Sequence, residues 1–231
     1  MRLLAWEELP PELQCDEVRP YYDILKKKKF ALFCKRVFDI VASFILLLLL
    51  SPFFVILTIA IKVDSKGPVF YRQVRVTQYG KTFRIHKFRS MCADADRRGT
   101  LVTVDGDSRI TRVGKFIRKF RLDEISQLLD VLDGNMTFVG VRPEVPKYVA
   151  SYTPEMMATL LLPAGVTSLA SIHYKDEDRL LSEAENADEQ YINVILPEKM
   201  RYNLDGIKNF HFFGDIKLCL MTVLAVLKRD H

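Results

Sequence analysis

The chain has 231 residues, enough for one sizeable core or for one domain plus a membrane element, and too few for two large domains. Its net charge of +5 conceals an asymmetry: residues 62–121 hold 16 Lys/Arg against 5 Asp/Glu, whereas residues 122–231 hold 10 against 17. The four cysteines, Cys15, Cys34, Cys92 and Cys219, lie far apart with no Cys-x-x-Cys, which argues against structural zinc and for reduced thiols acting as small hydrophobes.

A leader of residues 1–34 carries Leu9-Pro-Pro11 and Tyr21-Tyr22 and no readable function. The 25 residues Val37 to Ile61 then contain one charge, Asp39, and about 20 helical residues suffice to cross a bilayer. The run starts too late for a cleavable signal peptide. Near its middle, Ser51-Pro52 predicts a kink or break, because the proline ring removes an N–H and crowds the carbonyl of Leu48. Each half then spans about 18 Å at about 1.5 Å per residue, too short to cross alone. Ser51 can donate its hydroxyl to a freed carbonyl, which matters because unpaired backbone groups in lipid are costly.

Both flanks are basic, with Lys26 to Lys29, Lys35 and Arg36 before the run and Lys62, Lys66, Arg72 and Arg75 after it. Basic residues stay on the cytoplasmic side, so two basic flanks favour a re-entrant helix over a kinked single pass. Lys35, Arg36 and Asp39 are expected to anchor the start of the dip at the headgroups.

From Gly67 onward, Pro68 to Tyr71 and Lys81 to Ile85 predict extended segments around a turn at Tyr79-Gly80. A polar stretch between Asp94 and Asp107 reads as a loop. Ile110 to Leu132 reads as helix, with Leu122, Ile125, Leu128, Leu129 and Leu132 on one face and Asp123, Gln127 and Asp130 on the other. Running that helix backwards would put Arg118 on the apolar stripe, so a break is expected around Phe120 to Leu122. Asp123 then falls in a helix's first turn, where the dipole favours an ionised carboxylate and a phosphate. Gly134 supplies a stop. Pro143 onward reads as loops ending in an apolar helix, Phe210 to Arg229, suited either to the membrane interface or to ordinary packing.

The basic stretch beside an apolar segment points to an anionic substrate at a membrane surface. A nucleic-acid binder is weakened by the lack of a recognisable module, and nucleic acid is not an expected partner. A membrane-tethered scaffold or binding protein is the other reading.

Several ordered motifs add to this: Lys35-Arg-Val-Phe-Asp39, Ser51-Pro52, Gly67-Pro-Val-Phe-Tyr-Arg-Gln73, Lys87-Phe-Arg-Ser-Met91, Arg109-Ile-Thr-Arg-Val-Gly-Lys115, Leu122-Asp-Glu124, Gln127 and Arg142-Pro143. On these the chain resembles the bacterial sugar transferases, monotopic phosphoglycosyl transferases that start glycan assembly on polyprenol phosphate. The likeness runs from about Lys35 to Arg229.

The resemblance implies an α+β, mainly helical fold. It would comprise the leader (1–34), a re-entrant membrane helix broken at Ser51-Pro52 (35–62) and a small cytosolic catalytic domain with interfacial helices (63–231) at the bacterial inner membrane. It further implies that Asp123 attacks the β-phosphorus of a UDP-sugar, with Glu124 and Mg²⁺ assisting, both acids being candidate metal ligands. UMP leaves, and polyprenol (undecaprenyl) phosphate takes the phosphosugar from the aspartate. Lys87, Arg89, Arg118, Arg142 and Lys175 are the candidate phosphate-binding residues. A homodimer is compatible with this reading.

Some positions depart from the family pattern. Val141-Arg142-Pro143 stands for Pro-Arg-Pro, Gly134-Asn135-Met136 for Gly-Asp-Met, and Lys175 for an arginine. A catalytically inactive scaffold of the same fold is permitted by these changes, although Asp123-Glu124 is intact.

Overall fold

The computed structural model describes residues 1, 3–93, 95, 107–174, 181 and 186–227. Residues 96–106, inside the expected loop, and Lys175 lie outside the described residues. The described chain is mostly helical, with two small two-stranded sheets.

The leader is folded. Two 3₁₀ turns, Trp6–Glu8 and Pro11–Leu13, lead into α1 (Arg19–Lys27), and Leu3, Leu9, Leu13, Val18, Tyr21, Tyr22 and Leu25 bury themselves against Val76, Tyr79, Leu160, Leu161 and Leu204. Tyr79 and Tyr22 clip the backbone of Leu4 from two sides, one hydroxyl accepting from its N–H and the other donating to its carbonyl, each at 3.0 Å. The Trp6 ring takes Arg19 over its face, 4.6 Å from the centroid.

Helix α2 (Lys29–Asp64) is the one helix among the described residues long and apolar enough to cross a membrane, and only 11% of its most apolar 18-residue stretch is buried. Phe33, Phe44, Leu48, Leu49, Val55, Ile56 and Ile59 all face outward. Helical hydrogen bonding continues through Pro52, where the sequence predicts a kink or break. The Ser51 hydroxyl donates to the Leu48 carbonyl at 2.8 Å, satisfying the acceptor that proline leaves without its usual donor.

Strands β1 (Phe70–Val76) and β2 (Thr82–Phe88) form an antiparallel hairpin in register from Phe70↔Phe88 to Val76↔Thr82, around a turn in which Tyr79 and Gly80 both have positive φ. The expected extended segments lie within these strands or border them. Helix α3 (Arg112–Lys119) starts on two caps, Thr111 Oγ1 accepting from Gly114 and Asp64 Oδ2 accepting from Val113, both at 2.9 Å. The second cap ties the end of α2 to α3.

A 3₁₀ segment (Leu122–Gln127) and α4 (Leu128–Asp133) follow, and Gly134, at φ 88°, ends α4 as expected. Strand β3 (Met136–Val139) pairs in parallel with β4 (Ala164–Thr167), a sheet the sequence did not announce. At its end Gly140 and Gly165 pass so closely that a Cβ on Gly165 would stand 2.1 Å from the Gly140 nitrogen. Short helices α5 (Pro146–Val149), α6 (Leu169–His173) and α7 (Ala187–Gln190), a π-helical turn (Tyr191–Ile195) and α8 (Leu196–Lys208) complete the domain. Helix α9 (Phe212–Leu227) leaves Phe213, Leu220, Val223 and Leu224 exposed.

Candidate active site

Helix α3 ends at Lys119, and Arg121 adopts the left-handed conformation, φ 52°, which redirects the chain into the 3₁₀ segment. A non-glycine residue there is uncommon and costs of order 1 kcal/mol, so the surroundings must hold it. The expected break is therefore present, and Asp123 and Glu124 sit in the first turn after it.

Opposite them stands β2. Phe83 and Ile85 point into the core beside Val131 and Met136, and strand alternation puts Lys87 on that same face. Its ammonium lies 3.5 Å from Glu124 Oε1 and 4.0 Å from Asp123 Oδ2. Phe88, facing the other way, packs with Leu57, Ile61 and Ile117. The end of β2 thus separates the two acids from the far half of α2.

Arg142 arrives from the loop after β3, and its Nη2 donates to the Glu124 Oε1 that Lys87 also approaches. Arg118 adds positive charge near Asp123. Burial pushes the Asp123 carboxyl up, with Lys87 and Arg118 working against that and Glu124 reinforcing it. Burial acts likewise on Glu124, but Arg142 and Lys87 outweigh it and hold that carboxyl well below the usual range. The helix-terminus field alone would keep Asp123 ionised; desolvation turns the shift the other way. Lys87 is lowered by its own burial, against the pull of Glu124.

Neighbouring groups fix this frame. The Ser126 hydroxyl sits 3.0 Å from the His86 carbonyl and 3.1 Å from that of Asp123. Asp130, fully buried, accepts from the His86 backbone N–H and contacts its Nδ1, both at 2.8 Å. Gln127 and Asp130, expected on an outward polar face, are both buried, and β2 supplies Asp130 with its partner, His86.

Arg89 is not part of the cluster. Only 4% exposed, it donates to the carbonyls of Ser65 (2.7 Å) and Lys66 (2.6 Å) and to Ser65 Oγ (2.9 Å), capping the C-terminus of α2. Gly67, at φ +127°, makes room for it: a Cβ there would lie 2.1 Å from Arg89 Nη1. Arg89 is therefore corrected from a phosphate-facing residue to a helix cap.

Lys35, Arg36 and Asp39 also differ from their expected place at the headgroups. Lys35 is 3% exposed, paired with Asp215 and donating to the Val139 carbonyl at 2.7 Å. Asp39 is wholly buried, accepting from Thr137 Oγ1 (2.8 Å) and Phe138 N–H (3.1 Å). Arg36 donates to the last carbonyls of α4, Val131 at 2.7 Å and Leu132 at 2.9 Å. Buried polar groups need partners, and α4, β3 and α9 provide them.

Two features went unread in the sequence. Arg75 donates to the Pro143 carbonyl at 2.9 Å and to Gln73 Oε1, which fixes the loop carrying Arg142. Behind that loop, Tyr191 Oη donates to Glu144 Oε1 at 2.5 Å and accepts from Lys199 Nζ at 3.1 Å, a buried triad. Strand alternation, which puts Gln73 and Arg75 on one face, was the available signal for the first. The triad joins positions 144, 191 and 199 and had none.

Two adjacent acids, one tied to cations and one less so, form a site able to bind phosphate beside a carboxylate. The family model described as bacterial sugar transferase matches residues 30–229. The chain belongs to that family.

Curated relatives agree with the assignment. The chain is 35% identical over 198 residues to the UDP-N-acetylgalactosamine-undecaprenyl-phosphate N-acetylgalactosaminephosphotransferase of Aeromonas hydrophila, covering 84% of this chain and 44% of that protein. It is 33% identical to the UDP-glucose:undecaprenyl-phosphate glucose-1-phosphate transferase of Klebsiella pneumoniae (82% and 39%). To the protein of the same description from Caulobacter vibrioides it is 32% identical (85% and 71%). The chain thus matches about two fifths of the length of the first two.

Proposed function

We propose that this bacterial sugar transferase moves a sugar 1-phosphate from a UDP-sugar to polyprenyl phosphate at the cytosolic face of the inner membrane, through a phosphosugar carried on Asp123. An Asp123 oxygen attacks the β-phosphorus, the bond from that phosphorus to the bridging oxygen breaks, and UMP leaves with the electron pair. An oxygen of polyprenyl phosphate then attacks the same phosphorus, breaking the aspartyl–phosphorus bond and restoring the carboxylate. Splitting the transfer lets a soluble donor and a lipid acceptor use one site in turn.

The observation that carries this reading is the unequal treatment of the two acids. Glu124 is committed to Arg142 and Lys87, while Asp123 has the longer approach of Lys87 and the more distant charge of Arg118. Lys87, Arg118 and Arg142 supply the charge that a carboxylate needs to approach a diphosphate.

Asp123 and Glu124 fit Mg²⁺ of the kind held by one or two carboxylates plus substrate phosphates, rather than by an all-protein cage. Among the described residues no group of three or more His, Cys, Asp or Glu is arranged to hold a metal. When bound, Mg²⁺ would offset charge on the diphosphate.

The re-entrant reading of α2 has its own support. Arg36 bonds to Val131, Val131 follows Asp130, Asp130 bonds to His86, and two residues further Phe88 packs on Leu57 and Ile61. Both ends of α2 thus pack on one folded body, Arg36 on α4 and Ile61 beside Phe88, which supports keeping both ends on one side of the bilayer.

The test is UMP release from a panel of UDP-sugars with polyprenyl phosphate and Mg²⁺, together with intact-mass analysis of the protein stalled without acceptor. A phosphosugar adduct on Asp123 is expected. Product formation with no adduct at that position overturns the covalent route.

A further inference from the structure

A cavity of about 260 Å³ lies beneath α9, and neither Asp123 nor Glu124 lines it. Its walls are largely hydrocarbon, from Val139, Leu162, Leu169, Ile207, Phe210 and Leu218. The buried Lys35–Asp215 pair closes one end, already satisfied by its own contact and by the Val139 carbonyl. A second cavity, about 310 Å³, is lined by Glu155, Arg201, Asp205 and Lys208 along another face of α8.

Resting on the transfer reading above, we infer that this cavity receives the first isoprene units of the lipid acceptor. Its wall runs along Val139, Gly140 and Val141, and the next residue is Arg142, whose guanidinium meets Glu124. A phosphate held at that guanidinium therefore has an apolar chamber one residue along the same backbone. On the far side Leu218 belongs to α9, whose outer surface exposes Leu220, Val223 and Leu224. The helix that walls the chamber therefore also presents hydrocarbon outward. At 260 Å³ the chamber falls below the roughly 300–1,000 Å³ of pockets that enclose a whole small ligand, so it would take only the head end of a long chain.

Gly206 provides the handle. It lies on the cavity rim in α8, and a Cβ built there meets nothing within 4 Å. Gly206→Trp would place a bulky ring beside the cavity from a position whose Cβ is unobstructed, and replacing a helix-interior glycine does not oppose the helix.

Two measurements test the inference in detergent-free bilayer discs holding the full chain. The first uses a polyprenyl phosphate bearing a diazirine on its first isoprene units, with cross-links mapped by mass spectrometry. Labels on Val139 to Val141, α8 or the inner face of α9, reduced at least fivefold in Gly206→Trp, are expected; labels confined to α2 or the outer face of α9 overturn it. The second compares kinetics. Gly206→Trp is expected to raise KM for polyprenyl phosphate at least tenfold while leaving single-turnover UMP release unchanged. A raised KM for the UDP-sugar instead would make this a donor pocket, and no change in either would also refute the inference. Wild-type protein that labels in the cavity yet releases no UMP would count against the transfer reaction alone.

Discussion

Arg142 donates through Nη2 to Oε1 of Glu124, the same oxygen that Lys87 approaches at 3.5 Å. One oxygen of one acid is thereby held between two cations, and the adjacent acid keeps the freer role.

Asp123→Asn is expected to lower UMP release by about 10³-fold or more, because the amide cannot form the acyl phosphate. Since burial disfavours the ionised acid, the same change is expected to leave Tm at neutral pH unchanged or raised. Retained turnover in the asparagine variant would remove Asp123 from the nucleophile's place.

The pH profile has a definite sign. Asp123 is raised above the ordinary 3.8, and the carboxylate is the reacting form, so single-turnover rates should fall as pH drops through a value above 3.8. Arg118→Ala removes a charge that favours the ionised acid and should move this acid limb to higher pH. For stability, a raised aspartate contributes most at low pH, and its contribution is lost as pH rises through the folded-state value. Glu124, held low, works oppositely: its contribution is present above its unfolded value of about 4.5 and lost as pH falls below that.

Arg142→Ala is expected to cost about 10²–10³-fold in kcat/KM, comparable to removing one charge-stabilising donor elsewhere. Arg142→Lys should recover only part, lacking the planar fork. Steady-state kinetics with both variants will check this.

Arg89→Ala should act on the fold instead. Losing a buried cap with three short hydrogen bonds costs about 2–3 kcal/mol, and Tm should fall by several degrees with KM for the donor unchanged. A selective rise in KM would return Arg89 to the phosphate site.

Cysteine probes placed before Lys35 and after Lys62 report the path of α2. Labelling of both only from the cytosolic side is expected, and opposite-side labelling would exclude the dip. Pro52→Ala restores the backbone N–H that proline lacks and should favour a crossing helix, increasing opposite-side labelling.

Much of this was legible in residues whose signals are local. The turn at Tyr79-Gly80, the break before Asp123 and the stop at Gly134 each depend on a few neighbours, and the chain obeys them; at Ser51-Pro52 the helix instead continues, with the Ser51 hydroxyl bonded to the Leu48 carbonyl. Arg89 and Lys35 could not be placed this way, because a basic residue in a basic stretch looks the same whether it meets a phosphate or a buried carbonyl. The difference is made by partners 23 residues away for Arg89 and 104 and 180 residues away for Lys35. The β3–β4 sheet left little signal because four-residue strands, one of them containing Gly165, carry little alternation, and their pairing is between distant segments.

The folded leader carries a practical lesson. The shared family region begins at residue 30, yet Leu3 to Leu25 are the lid over Val76, Tyr79, Leu161 and Leu204. Trimming the protein to the start of that matched region would strip that lid and turn a dry interior into a sticky patch, so aggregation of such a fragment would say nothing about its chemistry.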